Sequence, residues 1–154
     1  RRGTIVKHRE GVETMVEIIV GEKGTGKTKH LLDRVNQDIT SVQGTLVYID
    51  KSPKYMYQLD SRVRMINMPD YPISGTEELI GFLCGVISQN SSIETIFIDS
   101  FLTLGDIDTS EGLRNAVDKL TVLSERFHVN FVLSVSQKEE KLPEELNATI
   151  WLSL

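Results

Sequence analysis

The sequence predicts an α/β protein, a three-layer sandwich in which helices cover both faces of a mostly parallel sheet. Two observations support this fold class. Strand-like and helix-like patterns alternate from residue 15 to residue 154, which is the order that builds parallel sheets. The strand-like runs are also apolar almost throughout, as in strands that are buried on both faces. One domain, residues 15–154, therefore accounts for the regular part of the chain.

Each predicted strand is a short apolar run bounded by polar or turn-forming residues. Glu17 is charged but lies inside the first run, and the second and third runs are each followed directly by an aspartate, Asp50 and Asp99. In such sheets ligands bind outside the carboxyl ends of the strands, where these aspartates are expected to lie. The five main runs cover residues 16–20, 45–49, 93–98, 131–135 and 149–152, and a shorter one is predicted at 63–68.

Three helices are predicted between these strands from apolar residues that are spaced three and four apart. The first covers residues 27–36, and the third is the longest. Ser74 and Glu77 form the capping-box pattern S-x-x-E at the start of the second helix. The apolar faces consist of Leu31, Leu32 and Val35 in the first helix, Leu79, Leu83, Val86 and Ile87 in the second, and Leu113, Val117, Leu120, Leu123 and Phe127 in the third.

The composition is that of an ordinary globular protein. With 40% hydrophobic and 25% charged residues among 154, the chain can bury a core without cross-links. The single cysteine, Cys84, excludes a disulfide framework and a cysteine-rich zinc site, and fits a reducing compartment. No apolar run approaches the length of a membrane span, and the N-terminus lacks the apolar core of a signal peptide. We therefore expect a cytoplasmic protein without a membrane partner.

Charge is distributed unevenly along the chain. The net charge is −5, yet residues 1–14 carry four basic and two acidic residues, so the remainder has 13 basic against 20 acidic residues. A bulk electrostatic footprint for nucleic acid is therefore absent from the predicted domain. Residues 1–14 show neither helical nor strand periodicity, and Met15 immediately precedes the first strand. We expect residues 1–14 to be a flexible N-terminal extension.

The run that joins the first strand to the first helix, "GEKGTGKT", matches the phosphate-loop pattern G-x-x-x-x-G-K-[ST] at every fixed position. Its glycines let backbone N–H groups wrap around a di- or triphosphate, and the helix start directs its positive dipole end at the anion. Lys27 adds a charge for the β- and γ-phosphates, and the Thr28 hydroxyl coordinates Mg²⁺. The predicted nucleotide-binding residues are Gly21, Glu22, Lys23, Gly24, Thr25, Gly26, Lys27 and Thr28.

A magnesium ion on the phosphates needs a carboxylate opposite the loop. Asp99 follows the apolar run "TIFI" and is expected at the carboxyl end of its strand. Because Mg²⁺ retains much of its hydration shell, Asp99 would hold the ion mainly through water. The alternative is a turn or helix-capping aspartate, which the upstream phosphate loop makes the weaker interpretation. We therefore predict Thr28 and Asp99 as the magnesium ligands.

These motifs, in this order, resemble those of RecA-like phosphate-loop ATPases, especially the KaiC and DnaB-helicase branches. The resemblance rests on the 21–28 loop, "LVYIDKS", "TIFIDSFLTL" and "FVLSVSQ", and spans residues 15–154. It implies that ATP is the nucleotide, and that the 131–135 strand lies between the phosphate-loop strand and the Asp99 strand. It also implies that Gln137 is a polar sensor facing the γ-phosphate, whereas the residues alone indicate a surface position at a strand end.

Hydrolysis of the nucleotide requires a group that orients or deprotonates water. The resemblance implies a catalytic glutamate, either just after the magnesium aspartate or at the end of the second strand, but those positions hold Ser100 and Asp50. Asp50 is shorter by one methylene, and it is either this catalytic carboxylate or a turn residue before Pro53. Similar proteins also continue into hairpins that place a cation across a subunit interface. Here the sequence ends at Leu154. Lys138 and Lys141 follow the fourth strand and are either substitutes for that cation or, as the residues favour, part of a solvated Glu/Lys stretch.

The sequence therefore predicts an ATP-binding protein whose hydrolysis is slow or stimulated by a partner, with Lys27, Asp50 and Gln137 as candidate catalytic residues. One alternative is a nucleoside or small-molecule kinase, against which the lack of an Arg-rich lid speaks. Another is a non-catalytic module whose nucleotide state regulates a partner. A protein partner or a second copy is expected to contact the 101–108 segment. That segment combines the apolar Phe101, Leu102 and Leu104 with Asp106 and Asp108. Its apolar side chains are predicted to be exposed for this contact, with core packing as the alternative for Leu102.

Overall fold

The computed structural model describes residues 15–154, and the predicted extension at residues 1–14 lies outside the described residues. A six-stranded sheet forms the centre, and every neighbouring pair of its strands is parallel. The predicted α/β class is therefore confirmed. The strands are β1 (Val16–Gly21), β2 (Thr45–Asp50), β3 (Arg64–Asn67), β4 (Ile93–Ile98), β5 (Asn130–Ser136) and β6 (Thr149–Ser153), in the spatial order β3-β2-β4-β5-β1-β6.

Helices and short 3₁₀ turns connect these strands. Three of the four described helices match the predicted ones. The remaining helix, at residues 101–104, is a single turn and is too short for apolar periodicity to reveal. Within residues 15–154, no helix is both long and apolar enough to cross a membrane. The helices are α1 (Lys27–Asp38), α2 (Thr76–Gln89), α3 (Phe101–Leu104) and α4 (Ser110–Phe127), and the 3₁₀ turns are Pro53–Gln58, Met68–Asp70 and Glu139–Lys141.

Different helices cover the two faces of the sheet. On one face, Leu31, Leu32 and Val35 of α1 pack in a cluster with Tyr48 and Phe97. On the other face, the buried residues of α2 and α4 pack against the opposite set of strand side chains. Along each strand these side chains alternate with those that face α1. The molecule is thus a layer of helix, a layer of sheet and a second layer of helices, as predicted.

The strand order places β1, β5, β4 and β2 side by side in the sheet. β5 lies between β1 and β4, because Leu133 pairs with both Ile18 and Ile98, and this is the placement that the resemblance implies. On the other side of β4, Ile49 of β2 pairs with Ile98. Asp50 and Asp99 directly follow this pair of residues. Since the strands run in the same direction, the two aspartates lie next to each other at the carboxyl edge of the sheet.

An ion pair explains the charge inside β1. Two guanidinium nitrogens of Arg34 donate to the two carboxylate oxygens of Glu17, at 2.9 and 2.8 Å. The Arg34 guanidinium also lies over the Trp151 ring, 4.6 Å from its centroid. A bidentate pair with an aromatic stack is a specific geometry. These contacts tie α1 to β1 and β6, and so fix the helix that follows the glycine-rich loop.

The start of α2 differs from the predicted capping box. Gly75, with φ +84°, is the N-cap, and no side chain caps the helix from this position. The backbone N–H of Ser74 donates to Glu78 Oε1 at 2.9 Å, so Glu78 rather than Glu77 closes the first turn. The capping-box prediction was wrong because the left-handed backbone at Gly75 moves the helix start by one residue.

The 101–108 segment is less exposed than predicted. Phe101 is completely buried, and Leu102 and Leu104 are half-buried, because residues 101–104 form α3 and direct the first side chain into the core. Asp106 and Asp108 remain exposed. The segment therefore has a half-buried apolar edge next to two exposed carboxylates.

Candidate functional site

The glycine-rich loop lies between the end of β1 and the start of α1. Gly24 and Gly26 have φ values of +83° and +93°, and a Cβ atom at either position would have no neighbour within 4 Å. Glycine is therefore required at these positions by the left-handed backbone conformation, which residues with a side chain rarely adopt. The loop is thus shaped by backbone conformation and not by a lack of space for side chains.

Lys27 is the first residue of α1 and is only 7% exposed. Its Nζ atom donates a hydrogen bond to the Glu22 carbonyl oxygen at 2.9 Å. The side chain therefore spans the loop and holds its ammonium group at the concave side. Burial lowers the pKa of Lys27, and the negative charge of Asp99 opposes that shift. An anion in the loop would supply the opposite charge that this partly desolvated cation needs.

Thr28 and Asp99, the predicted magnesium ligands, are in direct contact although 71 residues separate them. The Thr28 hydroxyl donates to Asp99 Oδ2 at 2.8 Å, and Asp99 is 3% exposed. Position 28 is one residue into α1, and position 99 directly follows β4. The end of the loop and the end of β4 thus bring the Thr28 hydroxyl oxygen and an Asp99 carboxylate oxygen together.

Three further groups hold the Asp99 carboxylate, and sequence reasoning missed all of them. The Tyr48 hydroxyl donates to Oδ2 at 3.3 Å. The Ser100 backbone N–H donates to Oδ1 at 2.9 Å, and the Ser134 hydroxyl donates to the same oxygen. Burial, with the charge of Asp99, raises the pKa of Tyr48, so its hydroxyl stays protonated and remains a donor. The available signal was a polar side chain within an otherwise apolar run, at Tyr48 in β2 and Ser134 in β5.

Asp50 is a buried carboxylate at the end of β2, and it is 3% exposed. Its Oδ1 atom accepts a hydrogen bond from the Lys51 backbone N–H at 2.7 Å. Burial, followed by the nearby charge of Asp99, raises the pKa of Asp50 to about 6. A residue that only shaped a turn would not need a buried charge. Carboxylates with raised pKa values in clefts are typical of acid–base sites.

One cavity of about 600 Å³ joins these groups. The loop residues from Lys23 to Lys29 form one side, and Asp50, Asp99 and Ser134 form its base. The segment that follows β2 forms another side, with Lys51, Ser52, Lys54, Tyr55 and Gln58. Five of the lining residues are lysines and two are aspartates, in a chain whose net charge is negative. The cavity therefore concentrates positive charge and is suited to an anion.

Gln137 lies beside this cavity and is not one of its lining residues. Its backbone N–H donates to the Gly21 carbonyl at 3.0 Å. Its Oε1 atom is buried without a hydrogen-bond partner among the described residues. The structure thus places Gln137 next to the first residue of the loop, while Lys27 and Asp50 both line the cavity.

The donor set of the site fits a magnesium ion that is shared with phosphate. Among residues 15–154, no group of three or more His, Cys, Asp or Glu side chains could enclose a metal ion. Thr28 and Asp99 offer instead a hydroxyl and a carboxylate in contact. Mg²⁺ is usually bound by one or two such oxygens, with phosphate oxygens and water completing the shell.

No protein-family model matches this chain, and no curated protein sequence matches it. What the chain does is therefore inferred from the chemistry of the site.

Replacing Asp50 by asparagine is expected to stabilise the protein above pH 6 and to leave its stability unchanged below pH 4. At low pH the carboxyl group is protonated in both states, so the replacement changes no charge. As the pH rises from about 4 to 6, the unfolded chain ionises first, and the folded parent loses stability relative to the variant. A pKa of about 6 corresponds to a gain of roughly 2–3 kcal/mol at pH 8. Thermal melts across this pH range, without nucleotide, measure the difference.

The matched control for this experiment is Asp118→Asn, because Asp118 is exposed on α4. Its melting temperature should follow that of the parent at every pH. Equal stability of the parent and the Asp50→Asn variant at pH 8 would mean that Asp50 is not buried as a charge.

Proposed function

We propose that this protein is a RecA-like phosphate-loop ATP-binding protein that binds ATP with Mg²⁺ and hydrolyses it slowly. The contact between Thr28 and Asp99 carries the proposal: the hydroxyl that follows the loop lysine lies 2.8 Å from the carboxylate at the end of β4. In a phosphate-loop protein, these two groups would hold the magnesium ion that accompanies the bound phosphates. The strand order, with β5 between β1 and β4, supports the RecA-like assignment.

The triphosphate binds in the loop between β1 and α1. Backbone N–H groups of the loop and of the first turn of α1 face the phosphates, and the helix dipole favours their charge. Lys27 exchanges its bond to the Glu22 carbonyl for the β- and γ-phosphate oxygens. Thr28 and Asp99 would hold a magnesium ion, which would neutralise charge on the phosphates.

Asp50 is the residue that accepts a proton from the attacking water. It lines the same cavity as Lys27 and Asp99. Its pKa of about 6 leaves it mostly ionised at pH 7, yet close to the pH at which a general base is most effective. The cost in stability of burying this charge supports a role in chemistry rather than in folding.

Slow turnover is expected because no arginine of residues 15–154 lines the cavity, where it could act as an arginine finger at the γ-phosphoryl. The cations that line the cavity are all lysines. A positioned arginine finger in similar reactions contributes about 10³–10⁵ in rate. A partner that brings such a group to the cavity would accelerate hydrolysis by a corresponding factor.

Phosphate release from Mg-ATP, measured with and without candidate nucleoside acceptors, tests the proposed reaction. We expect slow release of inorganic phosphate that acceptors do not change. Transfer to an acceptor would identify a kinase instead. Binding without release or transfer would identify a regulatory module. Fast release that is independent of Asp50 would contradict the assigned base.

A further inference from the structure

A second cavity, of about 280 Å³, opens between the start of α2 and α3. Tyr71 at its edge is 46% exposed, and its ring is held against Phe82 with the centroids 5.2 Å apart. A cavity of about 150 Å³ already accepts a benzene ring, so this one has room for a large side chain. The apolar lining residues are Met68, Pro69, Tyr71, Ile73 and Leu104.

Acidic residues surround this cavity. Asp106 lines it, Asp70 lies between the lining residues Pro69 and Tyr71, and Glu78 accepts the hydrogen bond from the backbone of Ser74. All three acids are exposed. No lysine, arginine or histidine occurs from residue 65 to residue 113, a stretch that holds eight acidic residues. A complementary occupant is therefore apolar at its tip and cationic around it.

The 3₁₀ turn Pro53–Gln58 of this same chain has these properties. Tyr57 is 92% exposed, the highest value among the exposed large hydrophobic side chains of residues 15–154, and Met56 is 43% exposed. Lys51 and Lys54 are also exposed. The Ser52 hydroxyl accepts from the Lys54 backbone N–H at 3.1 Å and caps the turn, so the exposed tyrosine is presented on an ordered element.

The turn and the cavity lie on opposite faces of the sheet. Tyr55 and Leu59, within and just after the turn, pack with the α1 side of the core. Met68 and Leu104 of the cavity pack with the α2 and α4 side. Because the sheet separates them, a turn cannot fill the cavity of its own chain. It can fill only the cavity of another molecule.

We propose that the turn Pro53–Gln58 of one copy docks into the α2–α3 cavity of a second copy. Tyr57 enters the apolar cavity, and Lys51 and Lys54 face Asp70 and Asp106 around it. Such a contact is heterologous, since it joins two different surfaces and leaves one turn and one cavity free. Further copies therefore add until a ring closes, or form an open chain.

Sedimentation velocity of the full chain at several concentrations tests this contact. The parent should show an average mass above that of the monomer, rising with protein concentration, as expected of a small, transient interface. The mass should fall again at high salt, which screens the charges around the contact. Tyr57→Ser should remain monomeric with an unchanged melting temperature, because the side chain is 92% exposed. The control Phe127→Ser removes a 49% exposed ring on α4 and should still associate.

Mixing two variants tests the head-to-tail geometry. Thr103 is exposed and lines the cavity, so Thr103→Trp should block the cavity while leaving the turn intact. Tyr57→Ser removes the turn contact and leaves the cavity intact. Each variant alone should be monomeric, and an equimolar mixture should form dimers and nothing larger. A monomeric parent at every concentration, undiminished association of Tyr57→Ser, or a mixture without dimers would each overturn the proposal, the first indicating that the cavity receives a different protein.

Discussion

Asp50→Ala is expected to lower the rate of ATP turnover by about 10²–10⁴, the contribution of a positioned general base. The Kd for Mg-ATP should stay nearly constant, because the proposed partner of Asp50 is the attacking water and not the phosphates in the loop. A loss in kcat without a loss in affinity identifies a group that acts in the transition state. Single-turnover phosphate release at saturating nucleotide measures the rate, and calorimetry measures the affinity.

Two comparisons sharpen this experiment. Asp50→Glu retains a carboxylate and adds the methylene that the sequence lacks at this position, so its rate should equal or exceed that of the parent. The rate of the parent should rise with pH as Asp50 becomes ionised in the nucleotide complex, and the residual rate of Asp50→Ala should lack this rise. A parent that turns over rapidly and is insensitive to Asp50→Ala would show that a different residue supplies the base.

Asp99→Asn is expected to weaken magnesium-dependent nucleotide binding by about 10–100-fold, the range found when groups around a bound metal are removed. The variant loses a negative charge but little volume. Its amide nitrogen cannot accept the hydrogen bonds that Thr28 and Tyr48 donate to Oδ2 in the parent. Binding of nucleotide in the presence of a chelator should change much less, because the loop and Lys27 are intact. Titrations with and without Mg²⁺ separate the two contributions.

The control for this substitution is Asp108→Asn, since Asp108 is exposed and does not line the nucleotide cavity. It should bind Mg-ATP as the parent does. If Asp99→Asn folds and binds Mg-ATP with the affinity of the parent, Asp99 has a structural role and the proposed magnesium site is wrong.

The coarse fold could be predicted because its signal is local. Apolar runs ending in Asp50 and Asp99 mark buried strands, and the rule that ligands bind at the carboxyl ends of parallel strands brings those aspartates together before any coordinates are seen. The position of β5 between β1 and β4 is not local, and only the resemblance suggested it. The contact between Thr28 and Asp99 agrees with the site that the loop pattern predicted.

The rest could not be predicted because it depends on the register between distant segments. Ser134 reaches Asp99 from a strand 35 residues away, and Tyr48 does so across 51 residues. A polar residue within each apolar run marks these two positions, but the sequence does not show which partner each side chain reaches. The raised pKa of Asp50 depends on burial and on the nearby Asp99 charge, which only the folded chain determines. The φ of +84° at Gly75 likewise displaced the predicted start of α2.

A calorimetric titration with Mg-ATP tests the central proposal most directly, namely that the loop between β1 and α1 binds a nucleoside triphosphate. The parent should bind one equivalent saturably. Lys27→Ala should weaken binding by at least about tenfold, since a hydrogen bond to a charged group contributes about 1.5–3 kcal/mol. Lys119→Ala, at an exposed position on α4, should bind like the parent. An absence of saturable binding to the folded parent at millimolar Mg-ATP, or equal affinity in Lys27→Ala, would contradict the proposal.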